Sequence, residues 1–160
     1  MQSITNTIQR YKTLYSGRIS ALPIVILMPP SACNCKCVMC DIWKGNHNLK
    51  QLSEQDIWGL LNTLKRFKTQ VVVMSGGEAL MNKNFFTLCE ILKNENINIS
   101  LLSTGLLLKK NAAALVKWVD DIIVSLDGNE EIHDQVRNIS GAFGSMKEGI
   151  AEIHSLNPRY

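Results

Sequence analysis

The sequence predicts an α/β fold: a partial (β/α) TIM-type barrel on a parallel sheet, with about four βα units preceded by an N-terminal helix. Three observations lead there. Short runs rich in β-branched residues alternate with segments of helical periodicity along the chain. Each polar motif of note directly follows one of those runs, where the ligand site of a parallel sheet forms. Length sets the extent, because a full eight-unit barrel takes about 250 residues, roughly 30 per unit, and 160 residues supply about half of one.

Taken in order, Ile4, Ile8, Tyr11 and Tyr15 recur at helical spacing and predict an amphipathic helix laid against the body. Residues 1–22 are read as this leader and 23–160 as the core domain. Pro23 to Met28 (PIVILM) reads as a buried strand stopped by Pro29 and Pro30. Ser53 with Asp56 three residues on is a capping-box-like start for a helix bearing Ile57, Leu60, Leu61 and Leu64 on one face. A strand Val71 to Met74, a helix Phe85 to Asn94 with Phe85, Leu88, Cys89 and Leu92 in register, and a strand Ile97 to Leu102 follow. A helix around Asn111 to Val119, a strand Ile122 to Leu126, and a helix around Phe143 to His154 complete the pattern. Right-handed crossovers then give a parallel sheet, either doubly wound or curled toward a barrel, whose last strand has an open apolar edge unless further sequence or another chain covers it.

At 46% hydrophobic content the chain can bury one core. The net charge of +3 comes from 17 basic against 14 acidic residues, scattered rather than gathered into a stripe, so nucleic acid is not indicated. No apolar run approaches the roughly 20 residues of a membrane span, and the first residues lack a secretory pattern. The protein therefore reads as cytoplasmic. Five cysteines, four of them between Cys33 and Cys40, suit metal or cluster binding in a reducing compartment better than a disulfide framework.

Cys33, Cys37 and Cys40 form CxxxCxxC on the loop after the first strand. Three closely spaced thiolates can hold three irons of a [4Fe-4S] cube and leave the fourth open to a ligand, the same logic that separates open catalytic metal sites from closed structural ones. Ser75-Gly76-Gly77-Glu78 follows the second strand, Ser103-Thr104-Gly105 the third and Asp127-Gly128 the fourth, so the four segments should converge. Adjacent glycines let backbone approach a ligand, and Glu78 can accept from an ammonium group. Each motif also has a plainer reading. The cysteines with Cys35 could form a zinc site, Gly76-Gly77 a simple turn, Asp127 a turn former, and Arg137 a solvated arginine unless a carboxylate faces it. Cys89 sits on a helix's apolar face and belongs to the core.

These residues resemble the radical S-adenosylmethionine (radical SAM) superfamily, through CxxxCxxC, Gly76-Gly77-Glu78, Ser125-Leu126-Asp127-Gly128 and the His133-Asp134 to Arg137 segment. The resemblance runs from Ile24 onward. It implies that Cys33, Cys37 and Cys40 ligate a [4Fe-4S] cluster and that SAM chelates the open iron. Gly76 and Gly77 with Glu78 would hold the SAM ammonium, Ser125 and Asp127 would line its ribose and methionine region, Arg137 would meet its carboxylate, and Ser103 would belong to the same cofactor site. Reductive SAM cleavage to a 5′-deoxyadenosyl radical, an electron donor such as flavodoxin or ferredoxin, and a role in peptide or protein modification or cofactor biosynthesis are further implications. The chain departs from the family pattern at Cys35, an extra thiol, and at Met39, Ala79 and Ser103-Thr104-Gly105. It supplies about four of the six βα units of the family core, as the N-terminal part of a longer enzyme would. The competing reading is a catalytically incomplete cluster- or zinc-holding fragment that acts as a binding module.

Overall fold

The structure, a computed structural model, describes residues 4–160. Four strands form one parallel sheet in the order β1-β2-β3-β4: β1 is Ile24–Leu27, β2 Val71–Met74, β3 Asn98–Ser103 and β4 Asp121–Val124. Sequential order is what a barrel segment requires, whereas a doubly wound sheet reverses order at a switch point. Six α-helices accompany the strands: α1 Ile4–Ser16, α2 Glu54–Arg66, α3 Phe85–Asn94, α4 Leu108–Trp118, α5 Glu130–Arg137 and α6 Ala142–Leu156.

The register explains the core. Leu27, Met74, Leu101 and Ile122 stand abreast across all four strands, and Val25, Val72 and Ile99 form the row below. These side chains pack with Ile57, Leu61 and Leu64 of α2, with Phe85, Leu88 and Leu92 of α3, and with Leu108 and Leu115 of α4 in one continuous cluster. Burying each such side chain contributes about 1.5–3 kcal/mol. The alternate strand positions face away from the helices, so Ile24, Ile26 and Ile123 are 60%, 62% and 51% exposed. That open face is the concave side of a partial barrel.

Local chemistry sets the helix ends. Ser53 caps α2 reciprocally with Asp56: its hydroxyl accepts from the Asp56 N–H, and Asp56 accepts from the Ser53 N–H at 2.7 Å. Glu54 and Asp56 in the first turn and Lys65 and Arg66 in the last oppose the helix dipole. Asn129 caps α5 by accepting from the Ile132 N–H at 3.0 Å, and α5 closes on Asn138 in the left-handed region at φ 54°. Asp134, one turn before that close, accepts from the backbone N–H groups of Gly141 and Phe143. It thereby caps α6, and those donors hold its carboxyl below the usual range.

β1, read from the sequence as a buried strand, leaves Ile24 and Ile26 exposed because its alternate positions face away from the helices. Two further expectations change. The stripe Ile4, Ile8, Tyr11 and Tyr15 points to solvent, with Ile4 81% and Tyr15 89% exposed. The inward face of α1 is polar instead. Asn6 donates to Gln70, and Ser20 bonds both Thr13 and the Gln9 carbonyl, so this end of the sheet offers polar partners rather than an apolar seat. The second change is α5, for which the sequence pattern gave no element. Residues 1–3 of the expected leader lie outside the described residues.

α4 and α6 approach each other through Gly149, whose added Cβ would lie 2.6 Å from the Leu108 Cβ and 3.1 Å from the Lys109 nitrogen. Helix propensity alone favours Gly149→Ala by about 1 kcal/mol. The close approach reverses that sign, because neither neighbour is the far end of a flexible side chain. The expected outcome is a lower urea midpoint for Gly149→Ala with far-UV circular dichroism unchanged. A raised midpoint would show that α6 can shift to admit the methyl.

Candidate functional site

The loop between β1 and α2 is pinned at its base. Pro30 and Gln51 form an antiparallel bridge, the Leu52 N–H donates to the Pro29 carbonyl at 2.7 Å, and the Ser31 N–H to that of Lys50 at 2.9 Å. The Asn82 side chain donates to both the Pro29 and Leu52 carbonyls. Further out, the Asn46 amide accepts from the Cys33 N–H at 3.0 Å and donates to the Cys33 carbonyl at 2.8 Å, as a neighbouring strand would. The cysteines therefore sit on a braced loop.

Within it the thiols differ. Cys33 and Cys40 are partly exposed, Cys37 is buried, and Cys35 is 1% exposed. The Cys35 N–H points at the Cys33 sulfur at 3.5 Å. Hydrogen bonding from Cys35 is the main reason that the Cys33 thiol titrates low, at about 6, against the opposing effect of burial. Hydrogen bonding of its own side chain to Cys33, and then burial, push the Cys35 thiol far upward. Among the described residues no three His, Cys, Asp or Glu side chains converge on a point that could hold a single metal ion.

The loop after β2 is pressed against this one. Gly77 comes so close that a Cβ would sit 2.1 Å from the Ala32 carbonyl oxygen and 2.9 Å from the Cys33 Cβ, while Gly76 adopts φ +107°. Only glycine fits that approach. The Glu78 N–H donates to the same Ala32 carbonyl at 2.9 Å. The Glu78 side chain has no exposed surface and turns toward β3. It accepts from the Thr104 N–H at 2.8 Å, the Thr104 hydroxyl at 2.6 Å, the Ser103 hydroxyl at 3.0 Å and the Leu80 N–H at 3.2 Å. Thr104 Oγ1 also lies 3.2 Å from the Asn34 side-chain amide, so the loops after β1, β2 and β3 meet at Thr104.

A second network joins the end of β4 to the cysteine loop. Arg137, 8% exposed, donates from Nε and Nη2 to the two oxygens of Asp127 at 2.6 and 3.1 Å, and from Nη1 to the Cys37 sulfur at 3.7 Å. The Val38 N–H donates to the Val136 carbonyl at 3.0 Å beside it. His133, fully buried, places Nδ1 3.2 Å from Asp127 and leaves Nε2 without a partner among the described residues.

The structure thus brings Cys33, Cys37 and Cys40 to one loop with Gly76 and Gly77 against it. It brings Asp127 and Arg137 together as the facing pair that the sequence left open. Glu78 and Ser103 are buried and hydrogen-bonded to each other. Ser125 is exposed at the end of β4, its N–H donating to the Ser103 carbonyl at 3.1 Å. Sequence reasoning missed Asn34 and Asn46, whose only signal was position on a strand-end loop, named Thr104 only within its motif, and undervalued His133, which recurs four residues before Arg137 on one helix face.

A family model described as the Radical SAM superfamily matches residues 27–158. The chain is 29% identical over 131 residues to an Fe-coproporphyrin III synthase of Methanosarcina barkeri, covering 80% of this chain and 33% of that protein. It is 27% identical over 141 residues to the sporulation killing factor maturation protein SkfB of Bacillus subtilis, covering 86% and 34%. It thus spans about a third of the length of these curated relatives. Streptococcus suis SuiB, solved with its precursor peptide SuiA, shares the fold at a TM-score of 0.74 and 15% identity, over 96% of this chain and 35% of that one.

Two outcomes follow for the metal-free chain. Alkylation of Cys33 is expected to be half-maximal near pH 6; Cys35→Ala keeps the backbone N–H but removes the side-chain hydrogen bond that does most to hold that value down, so the midpoint rises toward the ordinary thiol range of about 8.5. An unmoved midpoint would refute the Cys35 interaction. Gly77→Ala must displace the Ala32 backbone, so buried Cys35 becomes alkylatable on the native timescale while circular dichroism is retained; protection of Cys35 equal to that in the parent chain would contradict the close approach.

Proposed function

The chain belongs to the radical SAM superfamily, and on that premise we propose that Cys33, Cys37 and Cys40 hold a [4Fe-4S] cluster and that SAM binds beside it along the ends of β2, β3 and β4. The observation that carries this reading is the convergence of the three-thiol loop with the Gly76-Gly77 backbone. It is supported by the burial of Cys35, 1% exposed, which keeps the loop's extra thiol off its surface. A cluster several ångströms across suits thiols spread along a loop. When bound, the two groups supply one-electron cleavage of the SAM sulfonium and a 5′-deoxyadenosyl radical able to take hydrogen from a substrate.

This chain's residues hold and orient. Hydrogen bonding from Cys35 lowers the titration of Cys33, and Arg137 donates to the Cys37 sulfur. Gly76 and Gly77 leave backbone carbonyls near the loop for an ammonium donor, while Glu78 holds that turn in place. Three of the five guanidinium N–H donors of Arg137 are engaged, which leaves two for a carboxylate of SAM. Ser125 and Asp127 line the same rim.

Peptide or cofactor modification is the substrate class we favour, since the relatives include a synthase of a porphyrin product and a peptide-factor maturation protein. The electron donor would be a small flavin or iron-sulfur protein such as flavodoxin or ferredoxin. No described helix is long and apolar enough to cross a membrane. The assignment of residues 1–22 as a leader to a 23–160 core belongs to the same proposal.

Anaerobic reconstitution with iron and sulfide tests the reading. The expected result is a brown chromophore lost in Cys33→Ala, Cys37→Ala and Cys40→Ala but kept in Cys35→Ala, with 5′-deoxyadenosine formed from SAM under dithionite. Loss in Cys35→Ala as well would sink the ligand set, and a cluster without 5′-deoxyadenosine would favour a binding module.

A further inference from the structure

Arg137 stands between two partners of different kinds. On one side the guanidinium forks onto both oxygens of Asp127 at 2.6 and 3.1 Å; on the other, Nη1 reaches the Cys37 sulfur at 3.7 Å. The position is over-determined. Val136, its neighbour, accepts from the Val38 N–H at 3.0 Å, so the end of α5 is sewn to the residue after Cys37. Asn129 caps the start of α5, and Asp134 ties its last turn to α6. His133, one turn before Arg137, braces Asp127 from the other side at 3.2 Å. Cys37 and the Arg137 side chain are 7% and 9% exposed, so water screens their interaction weakly.

We infer that Arg137 is a positioning residue that raises the reduction potential of the cluster through the Cys37 sulfur, and that Asp127 moderates this by offsetting part of its charge. The inference rests on Cys37 being a cluster ligand, as proposed above. One-electron reduction adds negative charge that spreads over the cluster and its thiolates. A hydrogen bond and a nearby cation at a ligating sulfur stabilise the more negative state, and the potential of such clusters follows net charge, hydrogen bonds to sulfur and exposure. Arginine suits the task, since its charge persists when buried and its fork fixes direction as well as distance. A simple clamp between α5 and the loop would need none of this, since the Val38 to Val136 backbone bond already supplies one.

The two roles separate in a redox titration. The full chain is reconstituted anaerobically, iron and acid-labile sulfide per chain are measured, and the reduced cluster's electron paramagnetic resonance signal is followed against poised potential. Arg137→Gln is expected to lower the equilibrium constant for reduction about tenfold, which is about 59 mV for a one-electron couple. Arg137→Lys, which keeps the charge without the fork, is expected to shift less. Asp127→Asn, which removes the offsetting charge, is expected to move the midpoint in the opposite direction. Midpoints equal to the parent's in Arg137→Gln and Asp127→Asn, or shifts of the same sign in both, would overturn the inference in favour of a clamp. If Arg137→Gln does not fold, Arg137→Lys against Asp127→Asn is read by the same criterion. Failure of the ligand reading shows separately, as a parent chain that takes up no cluster or a Cys37→Ala chain that keeps it whole.

Discussion

A carboxylate with no exposed surface needs donors, and Glu78 draws most of its own from the end of β3. Its oxygens accept from the hydroxyls of Ser103 and Thr104 and from the backbone N–H groups of Thr104 and Leu80. Because the acceptor follows β2 and most of the donors close β3, the network exists only when those strands pair in the observed register. The Glu78 backbone extends the constraint to a third element through its bond to the Ala32 carbonyl, one residue before Cys33. The position of the cysteine loop is therefore a consequence of satisfying one buried carboxylate.

Asp127 solves the same problem by another route. Where Glu78 is satisfied by neutral donors, Asp127 is matched by a cation. Cys33 lies between the two. Glu78 raises its titration point and Arg137 lowers it, and both are smaller than the effect of the Cys35 hydrogen bond. The loop is thus bounded by a carboxylate strut toward β2 and β3 and an ion pair toward β4. A protein that used four similar ties could fix the geometry equally well; this asymmetry also gives the thiols unlike electrostatic surroundings.

The alternation of elements was legible in the sequence because the helix-facing strand positions and the inward faces of α2, α3 and α4 enter one core, and burial enforces periodicity. β2 and α3 coincide with their expected bounds for that reason. α5 was illegible because EEIHDQVR buries a histidine and an arginine, and no apolar stripe records such burial. The outward stripe of α1 failed for the converse reason: a helical period shows that a face is apolar, not which surface it meets. At the site, thiol spacing announced Cys33, Cys37 and Cys40, and the paired glycines announced a close approach. The inward turn of Glu78 could not be read, since a glutamate beside glycines looks the same whether it serves a ligand or a neighbouring strand.

The two ends of the sheet show why the chemistry belongs at the rim of cysteines. At the opposite end a cleft of about 610 Å³ lies between α1 and the starts of β1 and β2, lined by Asn6, Gln9, Arg10, Thr13, Pro23 and Val71. It is roomy, yet no thiol and no carboxylate lines it. The nearest ionic feature at the strand starts, Lys93 with Asp120, has both side chains about a third exposed, and a pair of that kind is worth about 1 kcal/mol or less. The cysteine rim instead buries a carboxylate, an arginine and a histidine and partly buries a second carboxylate, and desolvating such ions costs several kcal/mol before any pairing. Apolar residues would stabilise strand ends at less expense, as they do in the layers beneath. Buried charge concentrated where four loops converge is thus an argument for a rim shaped by chemistry and a strand-start end shaped by stability.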